Sequence, residues 1–115
     1  MVYSYDYFLA APEEAHIRVE EAAKTLKGKP VEEVVKTLCD LWFEAYGLKP
    51  DEINHGCCDM FAIDLRNGLD GAEKLWDDEI GGRGEHCFVR WKGRYYDSAC
   101  PEGADHWRHL PFYGD

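Results

Sequence analysis

Two proline-led amphipathic segments, followed by two short β-like runs around Lys92-Gly93, constrain this chain more than any other feature. Pro12 stands at a first helical turn with Glu13 and Glu14 behind it, and Ala15, Val19, Ala22, Ala23 and Leu26 recur at helical spacing before Gly28. The spacing predicts a helix over residues 12 to 27. Pro30 repeats the signal with Glu32 and Glu33. Val31, Val34, Val35, Leu38, Trp42 and Ala45 form one stripe and Gly47 is placed as a stop, so a second helix is expected over 30 to 46. His86 to Trp91 and Arg94 to Ala99 read as strands joined at Lys92-Gly93. Helices first and strands later indicate an α+β chain, with N-terminal helices packed on a small antiparallel sheet.

Between these blocks, Cys58, Phe61, Ala62 and Leu65 fall at i, i+3, i+4 and i+7, and Asn67-Gly68 ends the pattern. A third helix is therefore expected to start at Cys57 to Asp59. Ala72 to Ile80 is compatible with a short helix or an edge strand. Residues 2 to 9 are aromatic enough for a strand or extended arm. The stretch with Pro101, Gly103 and Pro111 reads as irregular but rich in packing residues, namely Trp107, Leu110, Phe112 and Tyr113.

With 115 residues and 45% hydrophobic content there is material for one core but not two, so residues 1–115 are read as a single domain. The net charge of −10 gives a field that repels phosphate backbones and anionic lipid, which argues against nucleic acid and membrane surfaces as partners. The first residues carry neither a basic n-region nor a long apolar run, and a cytoplasmic location is expected. Five cysteines in such a compartment are read as catalytic, metal-binding or buried thiols rather than disulfides.

Three residue types needed for thiol catalysis then stand out. A thiol becomes a nucleophile when an imidazole takes its proton, and the imidazole needs a carboxylate or amide to fix its tautomer. Cys58 in the first turn of a helix would feel unpaired N–H groups and the helix dipole, which favour the thiolate and are expected to depress its pKa. The same N–H groups suit an oxyanion, with the Asn54 side chain as a second donor. The competing reading makes Cys58 a small core residue, since its helical neighbours are all apolar.

A two-residue turn at Lys92-Gly93 pairs Trp91 with Arg94, Arg90 with Tyr95, Phe88 with Asp97 and His86 with Ala99. His86 and Asp97 then share a face as diagonal neighbours within hydrogen-bonding reach, and a slip of one residue would separate them. Zinc competes for the same residues, because His55, Cys57, Cys58, His86, Cys87, Cys100, His106 and His109 carry the right donor atoms. The chain has no C-x-x-C, however, and its adjacent pairs diverge. The carboxylates of Asp77-Asp78-Glu79 and Glu13-Glu14 read as solvated faces. Trp107, within His106-Trp107-Arg108-His109, is a candidate to line a cleft.

Gly56-x-Cys58-x-x-Phe61-Ala62, then His86-x-Phe88-Val89, then Gly93-x-Tyr95-x-Asp97 resembles the core of transglutaminase-like cysteine enzymes within the papain-like group. The resemblance covers about residues 50 to 100. It implies a papain-like fold with Cys58 as nucleophile, His86 as general base and acid, and Asp97 as orienting group. Cleavage or transfer of an amide would run through a thioester, on a peptide or other amide-containing substrate and with no cofactor. Asn54, Cys57 and Trp107 are the candidates for substrate or oxyanion contacts. The alternative of another class is a non-catalytic binding module that keeps this scaffold, its aromatic hairpin and Trp107 forming a partner surface.

Overall fold

In the computed structural model, which describes residues 4–114, helices α1 (Ser4–Ala10), α2 (Glu13–Lys24), α3 (Val31–Tyr46), α4 (Pro50–Ile53) and α5 (Cys58–Asn67) precede strands β1 (Glu73–Trp76), β2 (Cys87–Trp91) and β3 (Arg94–Tyr96). The three strands form one antiparallel sheet in the order β1-β2-β3, which makes the chain an α+β domain. A single 3₁₀ turn at Asp77–Glu79 separates β1 from β2, and two more follow β3 at Trp107–His109 and Pro111–Tyr113. Among the described residues no helix is long and apolar enough to cross a membrane.

Alternation along β2 divides the interior in two. Cys87 and Val89 point to the helices, with Val19, Val35, Leu38, Trp42, Phe61 and Leu65, whereas Phe88 points to the opposite side with Cys100, Trp107 and Leu110. The sheet is thus covered by helices on one face and by the irregular segment 100–113 on the other. The β2–β3 register is the expected one next to the turn, with Trp91 opposite Arg94 and Arg90 opposite Tyr95. The ladder ends at Val89–Tyr96, however, so His86 and Asp97 lie just outside the strands and the expected pairs Phe88–Asp97 and His86–Ala99 do not form. Lys92 (φ 50°) and Gly93 (φ 78°) both adopt positive φ, as a turn matched to strand twist requires.

The helical stripes place α3 and α5 as the sequence indicates. Val34, Val35, Leu38 and Trp42 are fully buried, and Gly47 ends α3 in the left-handed region at φ 71°. At the end of α5, a Cβ on Gly68 would lie 3.1 Å from the Ala23 carbonyl oxygen and 3.2 Å from Val34, so only glycine lets α5 approach α2 this closely. Helix α2 is shorter than expected, because the Thr25 hydroxyl and N–H both return to the Ala22 carbonyl and close the last turn.

The expected strand over residues 2 to 9 is corrected: from Ser4 onward the segment is helix α1, and its first two residues lie outside the described range. Tyr5 and Phe8 are one helical turn apart and stack at 6.2 Å, and Phe8 packs on Trp42 at 5.5 Å and Tyr46 at 5.0 Å. The aromatic run is periodic in 3.6, not 2, once its partners on α3 are known. The short helix α4 was not expected. Its Pro50 sits at the first position, and Glu52 accepts from the Lys49 N–H at 2.9 Å.

One buried acid links α3 to α5. Trp42 Nε1–H donates to Asp64 Oδ2 at 3.0 Å, and burial pushes the Asp64 carboxyl up to about 6, with the indole N–H pulling the other way. A folded-state value above the unfolded value of about 3.9 means that this group favours folding below about pH 4 and loses that contribution as pH rises through 6. Asp64→Asn, which keeps an acceptor for Trp42, is therefore expected to be more stable than the parent above pH 6 by about 2 to 3 kcal/mol, and equal to it below about pH 4. Urea unfolding at both ends of that range checks this; a variant no more stable at neutral pH would refute it.

Candidate functional site

At one end of the sheet, the loop between α4 and α5, the start of β2 and the turn after β3 converge. The connecting residue Asn54 is buried and reaches both sides: its Nδ2 lies 3.4 Å from Asp97 Oδ2, and its Oδ1 accepts from the Ser98 hydroxyl at 3.0 Å. Ser98 also donates to the Pro50 carbonyl. The α4 turn is thereby pinned to the residues that follow β3.

His86 and Asp97 meet here. The His86 ring, fully buried, donates from Nε2 to Asp97 Oδ2 at 2.8 Å, while Asp97 Oδ1 accepts from the Ala99 N–H at 2.9 Å. Asp97 therefore receives from an imidazole, a backbone amide and a carboxamide, an arrangement that holds the ring with its other nitrogen free. That nitrogen, Nδ1, is buried without a hydrogen-bond partner among the described residues. An orphaned buried acceptor costs about 1 to 3 kcal/mol, a cost the fold carries at this ring nitrogen.

Cys58 opens α5 and lines a cleft of about 420 Å³, together with Asn54, Trp76, Glu85 and Phe112. The N–H groups of Cys87, Asp59 and Cys58 itself act on its sulfur and favour the thiolate, but burial outweighs them and pushes the thiol above its ordinary value. The depressed pKa expected from the helix terminus is thus corrected: with 9% of its surface exposed, Cys58 loses more to desolvation than the N–H groups return. The thiol makes no hydrogen bond to His86 Nδ1.

Cys57 faces the other way. It is fully buried in the helical core, where Ser4 Oγ donates to its sulfur at 3.7 Å, and its pKa rises to about 11. Of the two adjacent thiols, Cys58 alone lines the cleft. Trp107 packs in the second core with Phe88, at 6.3 Å between rings, and lines a neighbouring depression with Arg83 and Arg108 rather than the Cys58 cleft. Asn54, proposed from the sequence for an oxyanion, has its amide directed to Asp97 instead. Cys39, Cys87 and Cys100 have thiols raised to about 12 by burial. Among the described residues no group of three or more His, Cys, Asp or Glu side chains is arranged to hold a metal ion.

Two features escape sequence reading. Asp77, taken as part of a solvated acidic run, is 1% exposed: its carboxylate accepts from the backbone N–H groups of Gly84 and Glu85 and from the Tyr113 hydroxyl at 2.8 Å. It organises the loop that leads into His86. Phe112 lies face to face on the His86 ring at 4.0 Å with 10° between planes, and Tyr113 meets the same ring edge-on at 5.8 Å. The turn Pro111–Tyr113 therefore covers the imidazole and walls the Cys58 cleft together. An aspartate at a strand end before a glycine-rich loop was the available signal for Asp77; nothing local marks Phe112.

No family model, curated protein or solved structure matches the chain.

Proposed function

We propose that the chain is a cysteine-dependent acyl-transfer enzyme, acting on an amide bond through Cys58, His86 and Asp97, and that its α+β fold is of the papain-like, transglutaminase-like kind. The observation that carries the reading is the buried His86–Asp97 hydrogen bond at 2.8 Å, with Nδ1 left without a partner and the ring stacked on Phe112, which lines the same cleft as Cys58. The order helix-borne cysteine, then histidine and aspartate flanking a hairpin, supports the fold assignment.

In the reaction the imidazole takes the thiol proton at Nδ1 and sulfur adds to the amide carbonyl. The C–N bond then breaks as the imidazolium returns a proton to the departing amine, leaving a thioester on Cys58. Water or an amine, deprotonated by the same nitrogen, resolves the thioester. Asp97 holds the ring orientation throughout. Thiol and imidazole are not hydrogen-bonded in this state, so the two come within reach of each other before the first step. The second reading, a binding module with an inert cysteine, draws support from the raised Cys58 pKa and the covered imidazole.

Alkylation separates the two. Iodoacetamide labelling of Cys58 in the parent is expected to exceed that in His86→Ala by about ten- to a hundred-fold near pH 7, the gap closing at alkaline pH where hydroxide takes over the base's part. Peptide mass spectrometry reads the site, and circular dichroism checks that the variant folds. Superimposable pH–rate profiles would leave the module reading.

A further inference from the structure

The Cys58 cleft has a charge and surface character that the proposed chemistry does not require. Asp59 and Glu85 line it, and among the described residues neither carboxylate has a hydrogen-bond or ion-pair partner. Trp76 and Phe112, both half-buried, supply aromatic surface to the same walls, one face of Phe112 being taken by His86. His55 lines the space as well, 5.8 Å from Phe112, and no lysine or arginine does. Arg83 lies in the adjoining depression, which shares Glu85, and makes no ion pair with it. The cleft also contains the thiol of Cys58, a residue nine-tenths buried, with backbone N–H groups directed at its sulfur.

Carboxylates beside aromatic faces, here a half-buried Asp59 and an exposed Glu85, form a receptor for an organic cation. The ring quadrupole attracts an alkylammonium or guanidinium, and a carboxylate supplies the counter-charge. Building on the acyl-transfer reading, we infer that the substrate carries a lysine- or arginine-like cation, held by Asp59, Glu85, Trp76 and Phe112 next to the amide that Cys58 attacks. An anionic group at the same place would meet two unpaired carboxylates, so the selectivity has a repulsive as well as an attractive part.

Methanethiosulfonates test this without a known substrate and without His86. The Cys58 thiolate attacks the reagent's sulfenyl sulfur, a mixed disulfide forms and methanesulfinate leaves. The cationic aminoethyl reagent and the anionic sulfonatoethyl reagent differ mainly in charge. The rate ratio, cationic over anionic, at Cys58 is expected to exceed that of the urea-unfolded chain by about ten-fold or more, and to fall most of the way to the unfolded value in Asp59→Asn/Glu85→Gln. Glu13→Gln/Glu14→Gln removes the same net charge on α2 and is expected to leave the ratio high. Equal loss in both double variants would assign the effect to the whole-molecule field and overturn the inference, as would a ratio no higher than that of the unfolded chain. The exchange needs no general base, so a failed His86→Ala alkylation test would leave this result readable.

Discussion

Replacing Asp97 with alanine is expected to be the most destabilising single change at the site, costing about 3 to 4 kcal/mol, because two buried donors and one partly buried donor lose their acceptor at once. His86 Nε2–H, the Ala99 N–H and the Asn54 amide all converge on this carboxylate, and each orphaned buried donor costs about 1 to 3 kcal/mol, less whatever an entering water restores. For a chain of this size the loss corresponds to a fall in Tm of roughly 10 to 20 °C. Asp97→Asn keeps the shape and one acceptor oxygen, so it is expected to cost less than half as much. The two variants separate structural from chemical effects: in Asp97→Asn the ring loses its carboxylate partner while the surroundings survive. Calorimetry of both checks the ranking, and an alanine variant as stable as the asparagine one would show that the network is not held by this side chain.

What was legible in the sequence follows from how far each signal reaches. The β2–β3 register was readable because Lys92-Gly93 fixes it locally; His86 and Asp97 lie just beyond the paired residues, and their side chains still meet. Helices α3 and α5 were readable because their apolar stripes lie within single turns of one another. Helix α1 was not, since the aromatic residues Tyr5 and Phe8 suit a strand until Trp42 and Tyr46, more than 30 residues away, supply the partners that decide the period. The division of labour between Cys57 and Cys58 was likewise invisible, because it depends on which side of the α5 N-terminus faces α1 and which faces the cleft. Asp77 and Phe112 show the same limit. The carboxylate looks solvated until the glycine loop folds over it, and the phenyl ring acquires its role only when residue 112 meets residue 86. Pairwise chemistry carried on one element was predictable, whereas desolvation was not, and desolvation sets the Cys58 pKa.

That balance leads to the largest expected effect on chemistry, read with a reactive ester. With p-nitrophenyl acetate, a nucleophilic cysteine gives a burst of nitrophenolate equal to the enzyme present and gains one acetyl group, since thioester formation outruns its hydrolysis. Cys58→Ala is expected to abolish burst and acetylation, a loss of at least about a thousand-fold, because no other described thiol lines the cleft. Cys57→Ala is expected to retain the burst: its sulfur lies against Ser4 on the far side of the helix terminus, and its loss leaves only a small core void worth about 1 kcal/mol. Phe112→Ala sharpens the contrast. Removing the ring stacked on the imidazole is expected to speed the burst while lowering Tm, so that rate and stability move in opposite directions. Acetyl transfer to Cys39, the half-exposed thiol, at the same rate as to Cys58 would mean that exposure rather than a relay governs reactivity, and the catalytic assignment would not survive it.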